Sequence, residues 1–359
     1  MPQASEAQRV LARAVLPPDR LGELTSSSLL KAWRATKRDV RALHERLFFR
    51  PLLAAVAHLS ADEVVLSEQA ARDRLAALGY RDPRGAMRHI QALTAGLSRS
   101  AEIQRHLMPV LLGWLAQGVD ADAGLLGFRI VSEALGSSSW YLRMLRDSPA
   151  AAEYLCALLS SSRRLTDLLE DTPTAIAWLD KAGELSPRTV KTLEREISSL
   201  LTRHTDALEA MRAVRFLRRR ELLRIGMAWA LGFSDIESVC AGLAAVDECV
   251  IAAALAIAQR EVLESEGVLS AEISVIAMGR LGGAENGFGS DADVMFVYRP
   301  APGVEDSIAS AQALSIVQRL MQLIKQPLKP PIRAERVLEI DADLRPEGKQ
   351  GPLVRSLDS

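Results

Sequence analysis

Apolar residues recur at three- and four-residue spacing from the N-terminus to about Glu266, in a background of Ala, Leu, Arg and Glu with few β-branched runs. That periodicity specifies stacked amphipathic helices and leaves no room for a sheet before residue 267. After Gly267 the texture changes. Ile273 to Met278 (ISVIAM) and Val294 to Tyr298 (VMFVY) are compact β-type runs, Val304 to Gln326 has helical spacing ended by Pro327, and Arg336 to Leu344 (RVLEIDADL) alternates apolar with acidic residues as a half-buried strand does. The expected fold is mainly α, a helical bundle followed by a small C-terminal α+β domain from residue 268.

Within the helical part, breaks fall at Pro17-Pro18, around Gly79 to Gly85, at Gly118 to Gly124 and at Gly183 to Pro187. A short repeat joins two of the helices: Leu145 to Leu155 reads LRDSPAAAEYL and Leu169 to Leu179 reads LEDTPTAIAWL. Ser148 and Thr172 are expected as N-caps, with Pro149 and Pro173 at the first helical position. Two copies do not make a solenoid, so the expectation is a duplicated helix pair in an irregular bundle.

With 48% apolar and 25% charged residues the chain can bury a large core, which excludes global disorder. A net charge of −1 supplies no bulk attraction for nucleic acid or an anionic membrane. The three cysteines, Cys156, Cys240 and Cys249, are too scattered for a disulfide framework or a zinc site and suit a reducing compartment. The longest uninterrupted apolar run, Cys249 to Ala258, is ten residues, about half of a bilayer span, and the N-terminus lacks a signal core. A cytoplasmic protein without a membrane helix is therefore expected.

The chemistry is expected in Gly279 to Asp293, GRLGGAENGFGSDAD. Gly282 and Gly283 follow a strand, where the missing Cβ lets backbone approach a polyphosphate. Ser290, Asp291 and Asp293 open the next strand, and residues two apart share a face, so both carboxylates project together. Like charges that close are costly unless a divalent cation lies between them, and Mg²⁺ favours one or two carboxylates plus substrate phosphates. The third strand adds Glu339, Asp341 and Asp343 on one face, any of which could complete the cluster. Three carboxylates around two cations fit in-line displacement at phosphorus, that is, nucleotidyl transfer. No Walker or kinase signature accompanies the glycines. The bland alternative is a solvated Ser-Asp turn beside an ordinary glycine turn.

Gly282-Gly283-x-Glu285 followed by Ser290-Asp291-x-Asp293 resembles the polymerase-β-type nucleotidyltransferase signature in the form used by bacterial glutamine synthetase adenylyltransferases. IDADLRPEGKQGPL resembles that family's Asp-x-x-Leu-Arg-Pro segment, which implies Asp341 as the third carboxylate. HERLFFRPLLAAVA, RHIQALTAGLSR and FLRRRELLRIG resemble the actinobacterial form, in the region joining its two catalytic halves.

The resemblance implies three regions: a helical linker at 1–125, a helical bundle at 126–267 and a truncated nucleotidyltransferase domain at 268–359. It implies ATP as substrate, Mg²⁺ as cofactor, Asp291, Asp293 and Asp341 as catalytic metal ligands, and Gly282, Gly283 and Ser290 at the nucleotide. The partners implied are glutamine synthetase, modified on a tyrosine hydroxyl, and a PII-type nitrogen-signalling protein. GFGSDADVMFV is more similar to the AMP-adding domain than to the AMP-removing one. Phosphorolytic removal and a non-catalytic helical scaffold are the alternatives. Asn286 stands where the family usually has Leu, and Asp343 where it often has Arg, so neither receives a role. The family continues beyond the third strand with helices, so a fragment or truncated product is expected.

Arg212, Arg215, Arg218, Arg219, Arg220 and Arg224 wrap much of one helix and read mostly as a solvated or salt-bridged surface. Arg345 and Lys349 either reach a phosphate or cap the loop after the third strand. The five histidines, His44, His58, His89, His106 and His204, lack metal spacing. The tryptophans Trp33, Trp114, Trp140, Trp178 and Trp229 read as core anchors.

Overall fold

A computed structural model describes residues 68–95, 99–136 and 138–358, together with Trp33, Thr36 and Val40. His44, His58, the Pro17-Pro18 break and the HERLFFRPLLAAVA segment lie outside the described residues. The chain divides into two compact units, Met1–Arg129 and Ile130–Ser359.

In the first unit, α1 (Glu68–Leu78), α2 (Pro83–Thr94) and α3 (Arg99–Ala116) precede α4 (Ala121–Leu135), within which the unit boundary falls. Asp82 caps α2 by accepting from the Gly85 amide at 2.9 Å, with Pro83 at the first helical position. Tyr80 donates its hydroxyl proton to the Leu112 carbonyl at 3.1 Å, a buried tie between the end of α1 and α3.

Beyond α4 the second unit continues with α5 (Ser139–Asp147), α6 (Pro149–Ser161) and α7 (Arg163–Asp171). Both repeat copies turn where expected, at Ser148 before Pro149 and at Thr172 before Pro173, but the second continues as a 3₁₀ turn, Pro173–Asp180. Neither cap side chain bonds its own helix; the Thr172 hydroxyl accepts from Arg219 instead, at 2.8 Å. Then come α8 (Val190–Arg203), α9 (Ala207–Ala230) and α10 (Ile236–Glu266). Asp235 caps α10 through the Ser238 amide at 2.8 Å, and Gly267 ends it with φ +78, a conformation that favours glycine.

By length and composition α10 could cross a membrane, although scattered polar residues break its apolar sequence into shorter runs. In this fold it is a core helix: Leu243, Val246, Val250, Ala254 and Ile257 are buried in the cluster shared with α8 and α9.

The sheet follows. β1 (Ala271–Ala277) pairs antiparallel with β2 (Ala292–Pro300), Ala277 opposite Val294, and α11 (Gly279–Gly282) is the single turn between them. The helix α12 (Asp306–Lys325) returns the chain so that β3 (Ile340–Asp341) and β4 (Val354–Ser356) both lie parallel to β2 on its other edge. The expected third strand, Arg336 to Leu344, is thus reduced to two paired residues. Alternation reports which face is buried, and Leu338 and Ala342 are buried, but only Ile340 and Asp341 find ladder partners.

One face of the sheet carries Val294, Phe296 and Tyr298 into a core formed with Ala313, Ile316, Val317 and Leu320 of α12 and with α10. This core runs without a break from Leu193 to Val354, so no boundary of packing falls at 267/268. Helices α8 to α10 and the sheet stabilise one another. Phe296→Ala, which empties a fully buried ring site, is expected to cost about 3–5 kcal/mol. In urea, amide protection in α9 and amide protection in β2 are expected to be lost at the same midpoint; separate midpoints would show independent domains.

Candidate metal and nucleotide site

β2 leaves the centre of the sheet with Ala292 and Val294 directed into the core, so Asp293 lies on the opposite face, and Asp291 precedes it by two residues. The parallel register sets Asp341 of β3 directly beside Asp293. Each of Asp291, Asp293 and Asp341 offers a carboxylate oxygen within 4.8 Å of the others, and all three are half-buried. The donor set is all oxygen and anionic, the chemistry a hard cation such as Mg²⁺ requires.

Of the three candidates for the third carboxylate, the structure brings in Asp341. Glu339 is exposed, and its carbonyl accepts from the Ala292 amide at 2.8 Å. The Asp343 carboxylate turns to Lys349 at 3.1 Å and Arg345 at 3.5 Å. Its amide donates to Asp341 Oδ1 at 2.8 Å, which orients that carboxylate. Arg345 also donates to the Ala342 and Gly351 carbonyls, so it and Lys349 close the loop after β3.

The glycine turn serves the carboxylates sterically. Gly279 has φ +51, and a Cβ there would collide with the Asp293 carboxylate. At Gly282 a Cβ would lie 2.6 Å from the Ala277 carbonyl oxygen, so the turn folds onto the end of β1 only with glycine present. The amides of Gly282 and Gly283 are used inside the turn, donating to Met278 at 2.8 Å and Gly279 at 3.1 Å. Ser290 is likewise engaged, its hydroxyl accepting from the Gly287 amide at 2.9 Å and its amide donating back at 3.1 Å. Glu285 is exposed. Two residues missed in the sequence stand at the site: Gly279, and Arg280, whose Nη2 donates to Asp291 Oδ1 at 3.0 Å. Only the position of Gly279 at the end of β1 could have singled it out.

The arginine stretch is salt-bridged, one of the two expected readings, but most of it is buried rather than at the surface. Arg215, Arg218, Arg219 and Arg224 are buried, each holding carbonyl oxygens or carboxylates. Arg215 grips Glu335 through two bonds of 2.6 and 2.7 Å, and Arg224 lies 3.9 Å over the Trp178 ring. Burial lowers the pKa of Arg219 and Arg224, opposed by Asp171 and Glu221 respectively. None of the tryptophans is the expected fully buried core anchor: Trp114, Trp140 and Trp178 are half-buried, Trp33 is exposed, and Trp229 is 46% exposed. With Leu165, Leu168, Leu222 and Phe288 it walls a cavity of about 750 Å³ on the flank of the loop leading to Asp291.

A family model described as glutamate-ammonia ligase adenylyltransferase matches residues 152–359. Curated relatives bear the name bifunctional glutamine synthetase adenylyltransferase/adenylyl-removing enzyme. That of Leifsonia xyli is 47% identical over 100% of this chain and 35% of its own length. The Streptomyces coelicolor protein is 47% identical over 93% and 34%, and the Cutibacterium acnes protein 40% identical over 100% and 34%. The chain therefore spans about a third of the length of the relatives it matches. With the family model covering more than half of its residues, the chain belongs to the glutamate-ammonia ligase adenylyltransferase family.

Proposed function

We propose that this chain carries the adenylyl-transferring site of a glutamine synthetase adenylyltransferase, moving AMP from ATP to a tyrosine hydroxyl of glutamine synthetase. The observation that carries the reading is the convergence of Asp291, Asp293 and Asp341 within 4.8 Å on one face of the sheet, behind a turn that only glycine can form at Gly279. Asp291, Asp293 and Asp341 would hold Mg²⁺, which when bound neutralises charge on the phosphates and on the attacking and leaving oxygens. The tyrosine oxygen attacks the α-phosphorus, the bond to the bridging oxygen of the β-phosphate breaks, and pyrophosphate departs with that electron pair. Asp341, one oxygen fixed by the Asp343 amide, takes the phenolic proton on its other oxygen. Gly282, Gly283 and Ser290 serve the nucleotide by shape, since their bonds within the turn leave a surface free of bulky side chains.

A PII-type signalling protein as regulatory partner and a cytoplasmic location belong to the same proposal. The free thiols Cys156 and Cys249, both buried with raised pKa values, are compatible with a reducing compartment.

With Mg²⁺ and glutamine synthetase, label from α-labelled ATP is expected in the synthetase and none from γ-labelled ATP. Transfer from the γ position would refute nucleotidyl transfer. Release of ADP from adenylylated synthetase on adding phosphate, without forward labelling, would instead identify the removing reaction.

The gathered charges predict a thermal signature without catalysis. Three adjacent carboxylates, of which Asp291 already has the Arg280 guanidinium beside it, repel one another on a scale of roughly 0.5–1 kcal/mol after solvent screening, and a bound divalent cation relieves that repulsion. Asp293→Asn is expected to raise the melting temperature in EDTA by about 2 °C. It should also abolish most of the upward shift that Mg²⁺ gives the wild type, both read by differential scanning fluorimetry.

A further inference from the structure

We infer that Arg218 is a positioning residue for the carboxylate site, holding at one separation the two chain segments that deliver Asp291 and Asp341; the inference rests on reading that triad as a cation site. Residues 326–339 contain no helix or strand, and their internal backbone bonding is a single long bond, from the Glu335 amide to the Ile332 carbonyl at 3.3 Å. Such a segment does not fix its own course, because each residue held in one conformation costs about 1–2 kcal/mol of entropy. Its course is set from α9. Arg215 donates to the Gln326 carbonyl at 2.7 Å, Arg219 to that of Arg333 at 2.9 Å and Arg218 to that of Arg336 at 2.6 Å. Four residues beyond Arg336 the chain enters β3, which ends at Asp341.

Arg218 is singled out because its bonds reach both segments. Through Nε it donates to Asp247 Oδ1 of α10 at 2.7 Å, and Asp247 Oδ2 accepts from Asn286 Nδ2 at 3.1 Å, at the start of the loop before Asp291. Through Nη1 it holds the Arg336 carbonyl, and the Arg336 guanidinium donates to the Gly289 carbonyl at 3.1 Å, at the end of the same loop. The circuit is closed: Asp247, Asn286, the loop, Gly289, Arg336, Arg218 and back to Asp247. A guanidinium can serve two acceptors in fixed directions, whereas an ammonium on a flexible stem cannot reproduce both angles. Losing a partner that orients a metal ligand typically costs 10–100-fold in affinity.

The test is Mn²⁺ binding to the 359-residue chain, followed by electron paramagnetic resonance, with circular dichroism monitoring the fold. Asp341→Asn is expected to weaken binding at least tenfold. Arg218→Lys, keeping the charge beside Asp247, is expected to weaken it about tenfold at unchanged helical content. Arg336→Ala, at an exposed side chain, is expected to weaken it several-fold, and the double variant to bind no worse than Arg218→Lys alone, because the two act in series. Arg220→Lys, whose partners are Glu196 and Glu221, should bind as wild type. Wild-type affinity in Arg218→Lys and Arg336→Ala, with loss in Asp341→Asn, would overturn the positioning role and leave the cation site standing. Wild-type affinity in Asp341→Asn would remove the cation site and the inference with it. If Arg218→Lys does not fold, Arg336→Ala decides alone, and unchanged affinity there overturns the proposal.

Discussion

A guanidinium withdrawn from water must be given acceptors in place of solvent, and α9 withdraws four of them. The arginines at 215, 218 and 219 lie within little more than one turn of helix, and the acceptors they use come from α7, from α10 and above all from residues 326–336. An irregular segment is well suited to that task, because its carbonyls are not spent on a ladder. The exchange works in both directions: the helix gains partners for its charges, and the segment gains a fixed path to β3. The segment these charges hold runs directly into β3, where the register sets Asp341 beside Asp293.

Much of this was legible in the sequence because it rests on local patterns. The change at Gly267 is a left-handed helix terminus, and the strands around Ile273 and Val294 and the helix after Val304 follow from periodicity. The geometry of Asp291 and Asp293 follows from strand alternation. Choosing Asp341 over Glu339 and Asp343 does not, since all three alternate equally. What separates them is the two-residue register with β2 and the ion pairs that draw Asp343 away.

What stayed hidden was long-range. Six arginines on one helix give the same local pattern whether they face water or the interior, because the acceptors that decide it lie on other elements, some more than a hundred residues away in the chain, as Gln326 and Arg336 do from Arg215 and Arg218. Trp229 illustrates the converse error. A large aromatic residue at helical spacing is expected inside, yet this one lines an open cavity with Phe288. The window hydropathy of α10 was equally ambiguous, since a core helix enclosed by α8, α9 and α12 needs the same composition as a helix in lipid.

The continuity of the core bears on why the carboxylate cluster is attached to a bundle at all. A sheet in which β3 contributes two residues and β4 three supplies little intrinsic rigidity, and short ladders fray. Clustered carboxylates demand the opposite, since their repulsion spreads any backbone free to move. Packing β2 against α10 and α12, and tying the flanking loop and the 326–336 segment to α9 and α10, transfers the stiffness of long helices to two short strands. Precision at the carboxylates is thereby a property of the bundle, and the residues that secure it lie up to 120 positions from those they hold in place.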